Sequence, residues 1–186
     1  RKRTIYSDLG FILLGFVADD CGRSTLDAQF AAIRDRMWSA VSHDDESAVL
    51  TFRVDPDRRA RTAPTIPLPE DVRRGSVLVG EVHDNYAAAL GGVAGHAGLF
   101  GTAGGVSAFA RAVLRGARGK RTIPAPLSPA LVARATRKSS VPGSSRALGW
   151  DTMLPTSSCG TEMSPAAFGH TGFTGTSLWI DPVLDR

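Results

Sequence analysis

The sequence predicts a globular domain of mixed α and β class (α+β) on three observations: helical stripes in its first half and middle, a strand-like segment near its end, and an ordinary balance of residue types. Of its 186 residues, 42% are hydrophobic and 22% charged, which excludes a disordered, collagenous or coiled-coil chain. The length suits one domain or part of one.

The elements follow in order. Ser7 or Asp8 caps a first helix, and the segment Phe11 to Val17 is apolar on nearly every face, the pattern of a helix buried inside a domain. Ser24 and Asp27 give a capping-box pattern ahead of Leu26, Phe30, Ile33 and Met37, a stripe at helical spacing. From Asp55 to Gly75, prolines and arginines leave no periodicity and predict a long surface excursion. Ser76 to Val82 reads as a short strand. In the glycine-rich stretch Gly91 to Gly105, Thr102 caps a helix that carries Val106, Phe109, Ala110, Val113 and Leu114 on one side. Ser128 followed by Pro129 opens another helix through Arg137, and Ser139 to Ser145 is a loop. Phe168 to Asp181 reads as a strand ending at Asp181-Pro182. No internal repeat is present.

Composition narrows the function classes. The net charge is +4, and its positive side is almost wholly arginine, with lysine only at Lys2, Lys120 and Lys138. Arg58, Arg59, Arg61, Arg73 and Arg74 lie beside Pro56, Pro64, Pro67 and Pro69 without interleaved aromatic residues, so they read as a solvated loop and not as a nucleic-acid surface. Cys21 and Cys159 fit no metal or redox spacing and read as small buried residues rather than a disulfide. No run reaches the roughly 18 apolar residues of a membrane span. The basic start Arg1-Lys2-Arg3 leads into a Tyr-Ser-Asp turn instead of a signal-peptide cleavage site. The compartment stays open between exported and cytoplasmic, any address lying upstream.

Three segments carry a resemblance. They are Tyr6-Ser7-Asp8; Gly80-Glu81-Val82-His83-Asp84 leading into Gly91-Gly92-Val93-Ala94-Gly95-His96-Ala97-Gly98-Leu99-Phe100; and Phe168-Gly169-His170-Thr171-Gly172-Phe173-Thr174-Gly175-Thr176. In order and wording they resemble the serine β-lactamase-related family, which includes class C β-lactamases, penicillin-binding proteins, D-alanyl-D-alanine carboxypeptidases and related esterases. The resemblance covers most of the chain and implies an antiparallel sheet flanked by helices, with a mainly helical region. Residues 1–186 are then a partial domain, running from the Tyr-Ser-Asp motif to the His-Thr-Gly strand and incomplete at both ends.

The family's chemistry gives each motif a reason. A serine attacks a carbonyl, a lysine three residues later and a tyrosine handle its proton, and backbone amides hold the oxyanion. The resemblance gives Tyr6 the tyrosine role and makes Asp8 the group that orients the lysine or a substrate amide. His170 takes the place of the strand lysine, where a histidine makes its contribution pH-dependent. Thr171 offers a hydroxyl, Gly172 lets substrate approach, and the Phe173 N–H is an oxyanion donor. His83, Asp84 and His96 read as loop-forming residues, and Asn85-Tyr86 departs from the family's usual placing of Asn there.

Serine three residues before a lysine does not occur, since Ala117 and Ala135 precede Lys120 and Lys138. The resemblance puts that motif upstream, so the intact protein is expected to be a serine hydrolase and this portion alone inactive. The expected substrate is a small ester, a β-lactam or a D-amino-acid peptide, with no cofactor and no metal. Two alternatives stay open: a non-catalytic homologue that binds cell-wall peptides or a partner, and a metal-dependent hydrolase using His83, Asp84, His96 and His170.

Overall fold

The computed structural model describes residues 4–41, 48–120 and 127–186. The basic start therefore lies outside the described residues. Among the described residues, five α-helices and five short strands follow in the order α1 (Asp8–Gly22), α2 (Leu26–Val41), β1 (Leu50–Thr51), a 3-10 helix (Pro56–Arg61), α3 (Asn85–Ala89), β2 (Phe100–Gly101), α4 (Ala103–Ala117), α5 (Pro129–Thr136), β3 (Asp151–Thr152), β4 (Phe168–Thr171) and β5 (Ser177–Ile180). Among them no helix is long and apolar enough to cross a membrane. The chain divides into two compact units, one of Ser7–Asp35 and Asp45–Val106, the other of Arg1–Tyr6, Arg36–Asp44 and Ser107–Arg186.

In the unit that begins at Ser7, α1 starts at the expected position and ends where Arg23 enters the left-handed region at φ 49°, its N–H bonded to the Asp19 carbonyl. Its burial departs from expectation: only Gly15 is buried, while Leu9, Leu13, Leu14 and Val17 are exposed, Leu9 to 64%. The apolar run records a face without cover in this unit, which hydrophobicity alone does not reveal. The second helix begins one residue later than the capping pattern implied, because the Thr25 carbonyl accepts the first helical N–H, from Gln29, at 2.9 Å. Asp27 takes the Thr25 hydroxyl and the Arg53 guanidinium instead of closing a box with Ser24.

Thr102 fulfils its assigned role and adds another. Its hydroxyl accepts from Gly105 N–H at 3.1 Å, capping α4, and from Val49 N–H at 3.0 Å, which fastens the β1–β2 ladder to the helix start. The proposed strand over Ser76 to Val82 reduces to one antiparallel bridge between Leu78 and Thr65. The preceding excursion contains the 3-10 helix, opened by Asp55 accepting from Asp57 N–H at 3.1 Å. Cys21 is exposed and Cys159 half-buried, both as free thiols, which corrects the expectation that they fill the core.

The unit ending at Arg186 is built on a three-stranded antiparallel sheet in the order β3–β4–β5. Phe168 to Asp181 is a hairpin, not one strand: Phe168 pairs with Ile180 and Thr171 with Ser177. The reversal over Gly172 to Thr176 was hidden by strand-forming threonines. Val113 of α4, Val132 of α5, Phe168 and Ile180 form the core, with Trp150 edge-on to Phe168 at 5.1 Å and stacked on Phe109 at 6.2 Å. Burying the Phe168 ring stabilises the unit by about 1.5–3 kcal/mol. The α5 helix opens as read, with Ser128 accepting from Leu131 N–H and Pro129 at the first position.

Below the hairpin Asp181, 0% exposed, accepts from Ser164 N–H and hydroxyl at 2.6 and 2.7 Å and from the Val183 and Leu184 N–H groups at 2.9 and 3.1 Å. Burial alone would raise its carboxyl; the bonds from Ser164, Leu184 and Val183 outweigh that and hold it below the ordinary value. It closes the loop that follows β5.

Candidate active site

The β4 strand sets the site through its alternation. Phe168 and His170 share one face, so the ring that anchors the strand in the core also fixes where the imidazole emerges. His170 pairs with Leu178 across the hairpin, and its Nδ1 lies 2.7 Å from the Thr171 carbonyl oxygen. Tyr6 lies in the same unit. Its ring centroid is 5.9 Å from that of His170, with the planes tilted by 40°. Two residues from opposite ends of the sequence thus face each other.

A third side chain joins them, one that no sequence pattern signals. Arg146 places its guanidinium carbon 5.1 Å from the Tyr6 ring centroid and Nη1 3.2 Å from His170 Nε2. A tight turn delivers it. Ala147 N–H bonds to the Trp150 carbonyl at 2.8 Å, and Gly149 takes φ 79°, a left-handed conformation that a side chain would strain. Arg146 then forms an antiparallel bridge with Asp151, the first residue of β3, and Thr152 N–H bonds to the Ser145 carbonyl at 2.7 Å. Asp151 stands 3.9 Å from the guanidinium, a long, partly solvated pairing. An arginine in a serine-rich loop has no periodicity to betray it.

The other expected residues are placed as follows. Thr171 ends β4 opposite Ser177. Gly172 closes the hairpin loop by N–H to the Thr176 carbonyl at 2.7 Å, and the Phe173 side chain is exposed. Asp8 belongs to the other unit, where it sits in the first turn of α1. An apolar recess of about 410 Å³, lined by Phe109, Val113, Leu131, Val132, Leu148 and Trp150, contains neither Tyr6 nor His170.

His83, Asp84 and His96 hold loops together within the unit that begins at Ser7. His83 Nε2 lies 3.0 Å from the Ile66 carbonyl oxygen. Asp84 caps α3 by accepting from Ala87 N–H at 2.7 Å and pairs with His96 Nε2 at 2.8 Å. Beside them Asp71 and Arg73 form a two-pronged pair, and Arg73 also donates to the Val82 and His83 carbonyls at 2.8 and 3.0 Å. The Arg73 side chain holds the Asp71 carboxyl down to about 2. No cluster of three or more His, Cys, Asp or Glu side chains is placed to hold a metal among the described residues.

Comparison with known proteins agrees with these motifs. A family model described as Beta-lactamase matches residues 1–185. A protein of Escherichia coli named "Putative D-alanyl-D-alanine carboxypeptidase" is 33% identical over 193 residues, covering 98% of this chain and 43% of that protein. One of the same name from Salmonella gallinarum is 31% identical over 203 residues, with the same coverage of 98% and 43%. The chain thus spans less than half the length of these relatives, and the similarity supports membership of a serine hydrolase family. With a match along nearly its whole length and a mixed fold of helices and small antiparallel sheets, the chain belongs to the β-lactamase family.

Proposed function

We propose that the intact protein hydrolyses an ester, a β-lactam or a D-amino-acid peptide through an acyl-serine intermediate, and that residues 1–186 are the part of its domain that carries the tyrosine and the His-Thr-Gly strand. The observation that carries this reading is the pairing of Tyr6 with His170, whose rings stand 5.9 Å apart although they come from separate motifs. A phenol beside a fixed guanidinium is suited to losing and regaining a proton, which is the service an attacking serine requires. The carboxypeptidase name of the relatives favours a D-amino-acid peptide among the substrates.

In this reading Tyr6 relays the proton of the nucleophile, and Asp8 orients the lysine partner of that serine or a substrate amide. Thr171 offers its hydroxyl to the substrate, Gly172 leaves room beside it, and the Phe173 N–H donates to the oxyanion. The nucleophile belongs to sequence other than these 186 residues, which contain no Ser-x-x-Lys.

The test is Tyr6→Phe in the intact protein. The expected result is a fall in kcat/KM of about 10²- to 10⁴-fold with the fold preserved, the usual weight of general acid–base catalysis. A folded variant with near-normal turnover of an ester and of a D-alanyl peptide would remove Tyr6 from the chemistry.

A further inference from the structure

We propose that Arg146 is a positioning residue of this site: its guanidinium fixes His170 in one tautomer and lays a permanent positive charge on the face of Tyr6. The tautomer follows from donor and acceptor chemistry. A guanidinium has N–H donors and no acceptor, so at 3.2 Å from Arg146 Nη1 the His170 Nε2 accepts. The ring proton is then on Nδ1, which donates to the Thr171 carbonyl at 2.7 Å. Both bonds are satisfied together only by a neutral imidazole. The positive charge that a lysine would bring to the place of His170 is supplied by its neighbour.

The charge follows from the same side chain. Its carbon lies 5.1 Å from the Tyr6 ring centroid, within the roughly 6 Å over which a guanidinium is held by an aromatic face. A guanidinium carries its charge at every pH at which an enzyme works. Among the described residues, Arg146 and Tyr6 are placed against His170, and Asp151, 3.9 Å from the guanidinium, tempers its charge without replacing the bond to Nε2. The β5 strand facing β4, Ser177–Ile180, brings no charge. Arg146 itself is only partly exposed, its side chain at 34%, which limits the screening of that charge by water.

Three substitutions in the intact protein separate the two tasks. Arg146→Gln keeps an N–H donor for Nε2 and removes the charge; Arg146→Lys keeps the charge and N–H donors on one nitrogen; Arg146→Met removes both. Long-range ¹H–¹⁵N spectra of the His170 ring report where its proton sits. The expected result is Nδ1–H in the wild type and in the Gln variant, and a shift towards Nε2–H in the Met variant. Retention of pure Nδ1–H in the Met variant would overturn the positioning role.

Turnover reads the charge. Gln and Met should lower kcat by about tenfold with KM little changed, and Lys should restore most of the loss. Wild-type kcat in both Gln and Met would overturn the charge. If Met does not fold, the Gln variant decides the charge, since it is expected to keep the tautomer and lose turnover, and Arg146→Ala reads the tautomer in its place. The kinetic arm rests on the proposed acyl-serine function, whereas the spectra read the ring whether or not Tyr6 is catalytic. Failure of the Tyr6→Phe test would therefore leave the tautomer result standing.

Discussion

His96 donates from Nε2 to Asp84 Oδ1 at 2.8 Å, on the same oxygen that accepts the Ala87 N–H at the start of α3. One carboxylate therefore serves a helix end and a histidine whose side chain is 2% exposed. Asp84→Ala removes the cap and leaves a buried ring nitrogen without its acceptor, so it should cost about 2–3 kcal/mol in urea unfolding. Asp84→Asn retains an acceptor oxygen at the same place and should cost about 1 kcal/mol or less. Equal losses in the two variants would show that charge, and not the shared oxygen, matters here.

The Asp71–Arg73 pair predicts an acid limb in stability. The folded Asp71 carboxyl titrates at about 2 against an ordinary value of 3.8, so its stabilisation is fully present above about pH 4. It is lost as pH falls through the folded value, where both states carry the proton. The stability difference between wild type and Asp71→Asn should therefore be largest at neutral pH and shrink steadily from about pH 4 towards pH 2. Urea titrations at several acid pH values check it; a difference independent of pH would place the effect in packing.

Gly95 predicts a steric limit. A Cβ there would run into the carbonyl oxygen of Phe11 in α1, and it would lie 3.2 Å from Gly15 N. Both obstacles are backbone, which yields less readily than a side chain, so Gly95→Ala should destabilise the chain by about 1–3 kcal/mol. Thermal unfolding of the variant measures this, with Gly10→Ala as the control, since a Cβ there meets nothing.

What the sequence disclosed was local. Thr102 and Ser128-Pro129 announced α4 and α5 because a cap acts within three residues, and the structure keeps both. The hairpin after Phe168 escaped because its turn carries threonines that suit strand as well as loop. The length of the Ser76–Val82 strand was overstated because Leu78 has a partner in Thr65 and its neighbours have none in the ladder. At the candidate site, family motifs singled out Tyr6 and His170, whose rings the structure brings within 5.9 Å, whereas Arg146 carried no motif. Its meaning depends on two rings distant in sequence, and no spacing rule spans that distance.

The outward-facing leucines of α1 also have a calorimetric consequence. Water already covers much of Leu9, Leu13, Leu14 and Val17 in the folded chain, so unfolding adds little hydration there. Heat capacity on unfolding comes mainly from newly wetted apolar surface, about 0.45 cal/K/mol per Å². These four side chains therefore add little to the heat-capacity change on unfolding, and little to the curvature of stability against temperature.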